Sequence, residues 1–250
     1  MAKKPFKKEK NLNVEFGSAK RLITLEGYWL SMSSHDGSVD GISVVTTTWN
    51  EKENIEELIR RVRTTLKDTQ YEIIVVDDSS PDGTLEVAKR FADLAVEKNR
   101  EGQTKGLLFG AKLAKFPVIV TIDSDLENTP ELIPHLVEKL NVFDLVVASR
   151  KNLPRFSERW ASKTVGKICG VSDFYSNFRA YKKQTIASKL VGGETFGGEL
   201  LVAAKKHGFK IGEIKYEPPS RRSKSRIGGL IRANFRIMAA SLKCFFLLLL

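Results

Sequence analysis

Val118 to Glu131 reads VIVTIDSDLENTPE. The run from Val118 to Ile122 has the composition of a buried strand, yet it ends on two carboxylates one residue apart, Asp123 and Asp125. Thr129-Pro130 then opens a helix that the spacing carries to Leu140. Side chains alternate along an extended chain, so Asp123 and Asp125 are expected on one side with Ser124 opposite. Two carboxylates converging at a strand end repel each other unless something positive lies between them. Standing alone, the pair admits two readings. One is a hard divalent cation with oxygen ligands, Mg2+ or Mn2+, which commonly also grips a diphosphate; the other is a pair of acids capping the loop before Pro130.

Outward from this stretch the same pattern repeats. Ile42 to Thr47 is β-branched, and Asn54 is placed to cap a helix whose apolar positions are Ile55, Leu58, Ile59, Val62 and Leu66. Tyr71 to Val76 is a second strand running into Asp77-Asp78, with turn residues Ser79 to Gly83 and a helix over Thr84 to Ala92 behind it. A short strand at Ala95-Val96, a helix over Gly106 to Lys115 and a strand over Leu145 to Ala148 complete the series. Strand and helix alternating at this spacing predict an α/β fold whose mostly parallel sheet is covered on both faces. Such sheets bind ligands beyond the carboxyl ends of their strands. Glu51, Asp77, Asp78, Asp123 and Asp125 all collect there.

Residues 150–226 are less regular and rich in Arg, Lys, Ser and Gly. Ile227 to Leu250 is helical in pattern, with Ile227, Leu230, Ile231, Phe235, Met238, Leu242 and Phe245 on one face and Arg232, Arg236 and Lys243 away from it. Residues 1–40 are polar and basic and read as a flexible extension. The formal net charge of +11 belongs to the ends: +5 over residues 1–21 and +7 over residues 218–250 leave about −1 between them. Terminal positive charge suits nucleic acid, anionic lipid or a phosphorylated ligand equally well. The two cysteines, Cys169 and Cys244, are far apart in sequence and imply neither a disulfide framework nor a thiolate metal site. The N-terminus lacks the apolar core of a signal peptide, so a cytoplasmic location is expected.

Taken together, TTTWNEKENIEEL, IIVVDDSSPDGT, KGLLFGAKLA and VIVTIDSDLENTPELIPHL, in that order, resemble the nucleotide-sugar domain of family-2 glycosyltransferases of the GT-A fold. Farther on, VVASR, SDFYSNFRAYKK, FGGELLVAAKKHGFKIGEI and SKSRIGG resemble the polyprenyl-phosphate branch of that family, the dolichol-phosphate mannose synthases. The resemblance implies a catalytic domain over 41–226, with a nucleotide-sugar half (41–149) and an acceptor half (150–226), and a membrane-associating tail over 227–250. It implies a nucleoside held by Thr47, Trp49, Glu51, Asp77 and Asp78, with Lys105, Asp123, Ser124 and Asp125 completing the nucleotide-sugar site. Asp123, Asp125 and residue 127 would carry the metal, Mg2+ or Mn2+; the family usually has Gln at the last place and this chain has Glu127. Arg150, Arg159, Ser162 and Lys163 would receive the acceptor phosphate, and Arg226, where the family has Lys, would close over the diphosphate. Asp125, Arg150 and Arg226 are the expected catalytic groups. Arg179 and Glu199 also match the family, as a structural pair or as ligand contacts.

The chemistry accounts for a missing base. None of the three histidines, His35, His135 and His207, falls in a matching motif. A hydroxyl acceptor normally needs a general base. A phosphate monoester, with a second pKa of about 6, arrives as an anionic nucleophile. The expectation is a single inverting displacement that moves a hexose, mannose from GDP-mannose, onto a polyprenyl phosphate at the cytoplasmic side of a membrane. UDP-glucose as donor and a glycan hydroxyl as acceptor are the enzymatic alternatives. A basic nucleic-acid-binding module is the non-enzymatic one, and no aromatic-basic interleaving supports it.

Overall fold

The computed structural model describes residues 12–16, 19–23, 41–186, 195–219 and 230–249. The strands are β1 (Leu12–Phe16), β2 (Ala19–Ile23), β3 (Ile42–Thr48), β4 (Tyr71–Asp77), β5 (Leu94–Glu97), β6 (Val118–Thr121), β7 (Leu145–Arg150), β8 (Arg179–Lys182) and β9 (Ile211–Tyr216). The principal helices are α1 (Ile55–Thr65), α2 (Thr84–Phe91), α3 (Gln103–Leu113), α4 (Ile133–Glu138), α5 (Phe156–Ala161), α6 (Phe196–Lys206) and α7 (Leu230–Leu249). A π-helical turn, Ser162–Gly166, extends α5 into the short helix Lys167–Cys169.

One sheet runs in the order β2-β1-β5-β4-β3-β6-β8-β7-β9. Strands β5, β4, β3 and β6 are mutually parallel. β8 enters antiparallel between β6 and β7, and β9 lies parallel to β7. The segment read as a flexible extension contains an antiparallel hairpin, β1–β2, that joins the β5 edge at Glu15↔Ala95; its other residues lie outside those described.

Strands β3, β4, β6, β7 and β8 are buried on both faces because consecutive apolar residues serve two different cores. Val45, Ile74, Val76, Val147 and Tyr181 pack with Leu107, Ala111, Phe196, Leu200 and Cys244 under α3, α6 and α7. Their sequence neighbours Val44, Ile73, Val75, Val146 and Ala180 pack with Ile55, Leu58, Ile59 and Leu136 under α1 and α4. Period-two alternation with both sides apolar is what an α/β sheet requires.

The structure amends the sequence reading in several places. Asn54 makes no side-chain cap; its amide donates to Glu51 Oε2 at 2.7 Å instead. Residues 130–141 are broken into two 3-10 turns around the six-residue α4. The irregular stretch 150–226 contains β8, β9 and the deeply buried α6. Strand β6 stops at Thr121, so a turn, and not strand alternation, places Asp123 and Asp125.

Helix α3 seats on the sheet through glycine. A Cβ on Gly110 would lie 2.4 Å from Val45 Cγ1, and one on Gly106 would lie 2.6 Å from Thr47 Cγ2. Gly110→Val is therefore expected to destabilise the chain by about 1–3 kcal/mol, seen as a lower denaturation midpoint. An unchanged midpoint would mean that α3 does not bear on the sheet at this point.

Candidate functional site

The site lies where the carboxyl ends of β3, β4 and β6 open into loops. Each loop contains one non-glycine residue in the left-handed region: Asn50 (φ 56°), Ser79 (φ 61°) and Leu126 (φ 61°). Asn tolerates this conformation, but for Ser and Leu it costs about 1–2 kcal/mol. Leu126 sits between Asp125 and Glu127, so a strained turn presents the paired acids.

Asp77 and Asp78 organise the loops around them. Asp77 accepts from Thr48 Oγ1 at 2.7 Å and from the Ser80 amide and hydroxyl at 2.7 and 2.6 Å. Asp78 pairs with Lys98 and accepts the backbone N–H groups of Glu101 and Gly102 at 3.0 and 2.9 Å. Although burial opposes its charge, the Lys98 ammonium and these two amides hold its carboxyl below the usual range. Glu51 is buried, its own N–H bonded to Thr84 Oγ1 at 3.0 Å. Trp49 lies with the Arg100 guanidinium 3.5 Å from its ring centroid. Lys105 is exposed and pairs with Glu101 at 2.9 Å.

Ser124 is buried and donates to the Thr47 carbonyl at 2.9 Å. Asp123 accepts from Gln103 and from Asn128, the latter at 3.2 Å, and Asn128 in turn accepts from the Tyr216 hydroxyl at 2.6 Å. Burial raises the Asp123 carboxyl, against these amides and the nearby charge of Arg150. Asp125 has less help: the Glu127 backbone N–H at 3.0 Å is its hydrogen bond. Burial, then the negative charge of Asp123, push its carboxyl up to about 7, with Glu127 and Glu51 adding to the repulsion. Among the described residues no three His, Cys, Asp or Glu side chains stand close enough together to cage a metal. Any cation here would draw its remaining oxygens from a ligand and water.

Across from the acids, Arg150 ends β7. Its guanidinium grips Asp173 with Nε at 2.6 Å and Nη2 at 3.2 Å, and Glu158 lies 3.6 Å away. Arg155 shares Glu158 at 3.1 Å, so two arginines and two acids balance. Arg159 and Lys163 face solvent, and Ser162 is half-buried, on α5 and its π turn; Arg159 Nη1 folds back onto the carbonyls of Leu153 and Pro154 at 3.0 and 3.1 Å. Arg226 lies outside the described residues. Arg179 is wholly buried and donates to the carbonyls of Phe174, Ser176 and Gly197, while burial pulls its pKa down to about 10. Its bonds go to backbone carbonyls, and it braces the loop that carries Asp173.

Sequence reasoning missed Gln103, Asn128, Asp173, Asn177 and Tyr216. Asn128 stood in the quoted stretch, and Asp173 and Asn177 in SDFYSN; Gln103 and Tyr216 come to the site only through tertiary packing.

Comparison with known proteins agrees with this geometry. The family model for Glycosyl transferase family 2 matches residues 43–195. The dolichol-phosphate mannosyltransferase of Pyrococcus furiosus is 36% identical over 166 residues, covering 58% of this chain and 47% of that protein. The undecaprenyl-phosphate 4-deoxy-4-formamido-L-arabinose transferase of Pseudomonas fluorescens is 32% identical over 205 residues, covering 71% and 60%. The chain thus spans about half to three-fifths of the length of these relatives. Glucosyl-3-phosphoglycerate synthase from Mycobacterium tuberculosis, solved with Mn2+, UDP and glucosyl-3-phosphoglycerate, superposes with a TM-score of 0.64 at 22% identity, over 88% of this chain and 84% of that one. The fold is therefore the GT-A fold.

The raised Asp125 carboxyl fixes the sign of a pH effect. The folded state holds a proton that the unfolded state releases near pH 4, so the cation-free chain loses stability as pH rises from about 4 to 7. In chelator at pH 8, Asp125→Asn is expected to melt a few degrees above the wild type, with the gap closing by pH 4.5. Equal melting points at pH 8 would refute the repulsion.

Proposed function

The chain belongs to glycosyl transferase family 2, and we propose that it moves a hexose from a nucleotide diphosphate donor onto a polyprenyl phosphate in one inverting displacement. The observation that carries this reading is the Asp123–Asp125 pair at the end of β6: burial and then the charge of Asp123 push the Asp125 carboxyl up to about 7, and a donor-bound cation would relieve both. The donor set is all oxygen, which fits Mg2+ or Mn2+. Asp123 and Asp125 would hold the ion, with Glu127 beside them, and when bound it accepts charge on the departing diphosphate.

The chain's own residues supply alignment and neutralisation. The loops after β3 and β4 would shape the nucleoside pocket, with Trp49, already stacked by Arg100 on one face of its ring, beside it. Arg150 stands opposite the acids, its guanidinium oriented by Asp173, where an anionic acceptor would be drawn in and held in line. His135 and His207 are exposed on α4 and at the end of α6, away from these loops. A phosphate monoester needs no base, and this matches the polyprenyl-phosphate acceptors in the names of both relatives. Mannose from GDP-mannose is the leading donor by likeness to the archaeal enzyme; UDP-glucose is its rival.

The terminal helix supports a lipid acceptor. Ala240, Ser241 and Cys244 bury one side of α7 against the domain, and the Tyr175 hydroxyl bonds Ser241 at 2.7 Å. The other side leaves Phe235 (71%), Leu242 (46%), Phe246 (60%) and Leu249 (67%) exposed, flanked by exposed Arg236 and Lys243. Among the described residues no helix is long and apolar enough to cross a membrane. An apolar face edged by cations suits the surface of an anionic bilayer.

Two measurements test this reading. Purified chain given GDP-mannose or UDP-glucose, a short-chain polyprenyl phosphate and Mn2+ should yield organic-extractable sugar. Asp125→Ala should lower turnover at least a hundredfold; glycosylation of a water-soluble hydroxyl acceptor alone would overturn the assignment. Leu242→Glu with Phe246→Glu should abolish sedimentation with phosphatidylglycerol vesicles while leaving turnover of the short, soluble acceptor within twofold. Undiminished sedimentation would remove α7 as the docking element.

A further inference from the structure

Both oxygens of Asp123 are held by neutral amides: Oδ1 accepts from Gln103 Nε2 and Oδ2 from Asn128 Nδ2. Each amide is fixed from its far end. Gln103 Oε1 accepts from Asn177 Nδ2 at 3.1 Å, and Asn128 Oδ1 accepts from the Tyr216 hydroxyl at 2.6 Å. An amide whose oxygen faces a donor must turn its NH2 the other way. Asn177 and Tyr216 thereby ensure that Asp123 meets hydrogens and not a second oxygen. The choice of amides matters chemically, because a lysine or arginine in the same place would cancel the carboxylate's charge and compete with a cation. An amide orients the anion and leaves its charge intact.

The Gln103 branch reaches farther than the Asn128 branch. Gln103 stands exposed at the start of α3, in the donor half, whereas Asn177 belongs to the loop Asp173–Phe178 in the acceptor half. The first residue of that loop clasps Arg150, and its carbonyls at Phe174 and Ser176 are bonded by buried Arg179. A Cβ on Gly197 would lie 2.7 Å from Arg179 Nη2, so the brace is packed against the start of α6. The loop is thus fastened at the acceptor arginine and reaches the donor carboxylate through Asn177, which orients Gln103 and also bears on Asp123 itself.

We propose that Gln103 and Asn177 are positioning residues that aim Asp123 at the donor's cation and make that aim depend on the acceptor loop. The inference rests on the cation reading given above and adds the residues that set its geometry. The partners that orient a metal-bound carboxylate typically govern about 10–100-fold in metal affinity.

The test is Mn2+ binding to the full chain by calorimetry, with GDP and separately with UDP, and no lipid present. Gln103→Ala should weaken Mn2+ binding at least tenfold, and Asn177→Ala by a smaller factor. Asn177→Asp is the discriminating variant. It keeps the size but can only accept, so Gln103 must offer its NH2 to the loop and turn its oxygen on Asp123. Binding should fall below that of Asn177→Ala, whereas a simple gain of negative charge near the site would strengthen it. Melting points in chelator within about 2 °C of the wild type show that each variant is folded. Gln103→Ala within twofold of wild type, or Asn177→Asp binding as well as Asn177→Ala, overturns the positioning role and leaves the cation reading standing. A wild-type chain that binds no Mn2+ with either diphosphate removes both.

Discussion

Two like charges are forced together at the end of a buried strand, and the surrounding site is arranged around that cost. Asp123 and Asp125 project from the turn after β6, where burial and mutual repulsion both oppose ionisation. A sheet of parallel strands is the scaffold that makes such a placement tolerable. Its carboxyl edge is the one place where three adjacent strand ends release loops side by side, and hydrogen bonds within those loops absorb the neighbouring acids. Asp77 and Asp78 are satisfied internally, which leaves the pair after β6 as the site of unrelieved negative charge.

The opposite wall follows a different rule. Arg150 is bidentate to a buried aspartate and close to a buried glutamate, so its charge is balanced before any ligand arrives. Buried ion pairs of this kind add little net stability but fix direction. A guanidinium held on two sides offers its remaining edge in a set orientation, which suits the alignment of a tetrahedral anion. One wall thus carries a carboxylate pair with no ion-pair partner of its own among the described residues and the other is already balanced, an asymmetry suited to a reaction between a cation-bound diphosphate and an anionic nucleophile.

The donor half was legible in the sequence because its signals are local. Ile42–Thr48, Tyr71–Asp77 and Val118–Thr121 are apolar strands that run directly into acids, and the helices between them carry clear stripes. The acceptor half was hidden for physical reasons. β8 is four residues long, begins with a buried arginine, and takes its meaning from partners far away in the chain. α6 is buried all round from Phe196 to Ala204, so it shows no polar stripe to mark its period. Gln103 and Tyr216 stand in no motif, and Asn177 stands in SDFYSN without a signal of its role, because what each does is a hydrogen bond to something distant. Even Asp125 was recognised by its spacing and not by its cause: alternation along a strand was the expected reason, and a strained turn at Leu126 is the actual one.

The insertion of β8 between β6 and β7 has an implication for biosynthesis. β6 leaves the ribosome with β3 on one side and nothing on the other, because its second neighbour is encoded some sixty residues later. Until Arg179–Lys182 is made, the growing chain carries an open, apolar sheet margin directly below its most charged turn. The nascent protein therefore carries that open margin midway through translation, and a strand from the second half is what closes it.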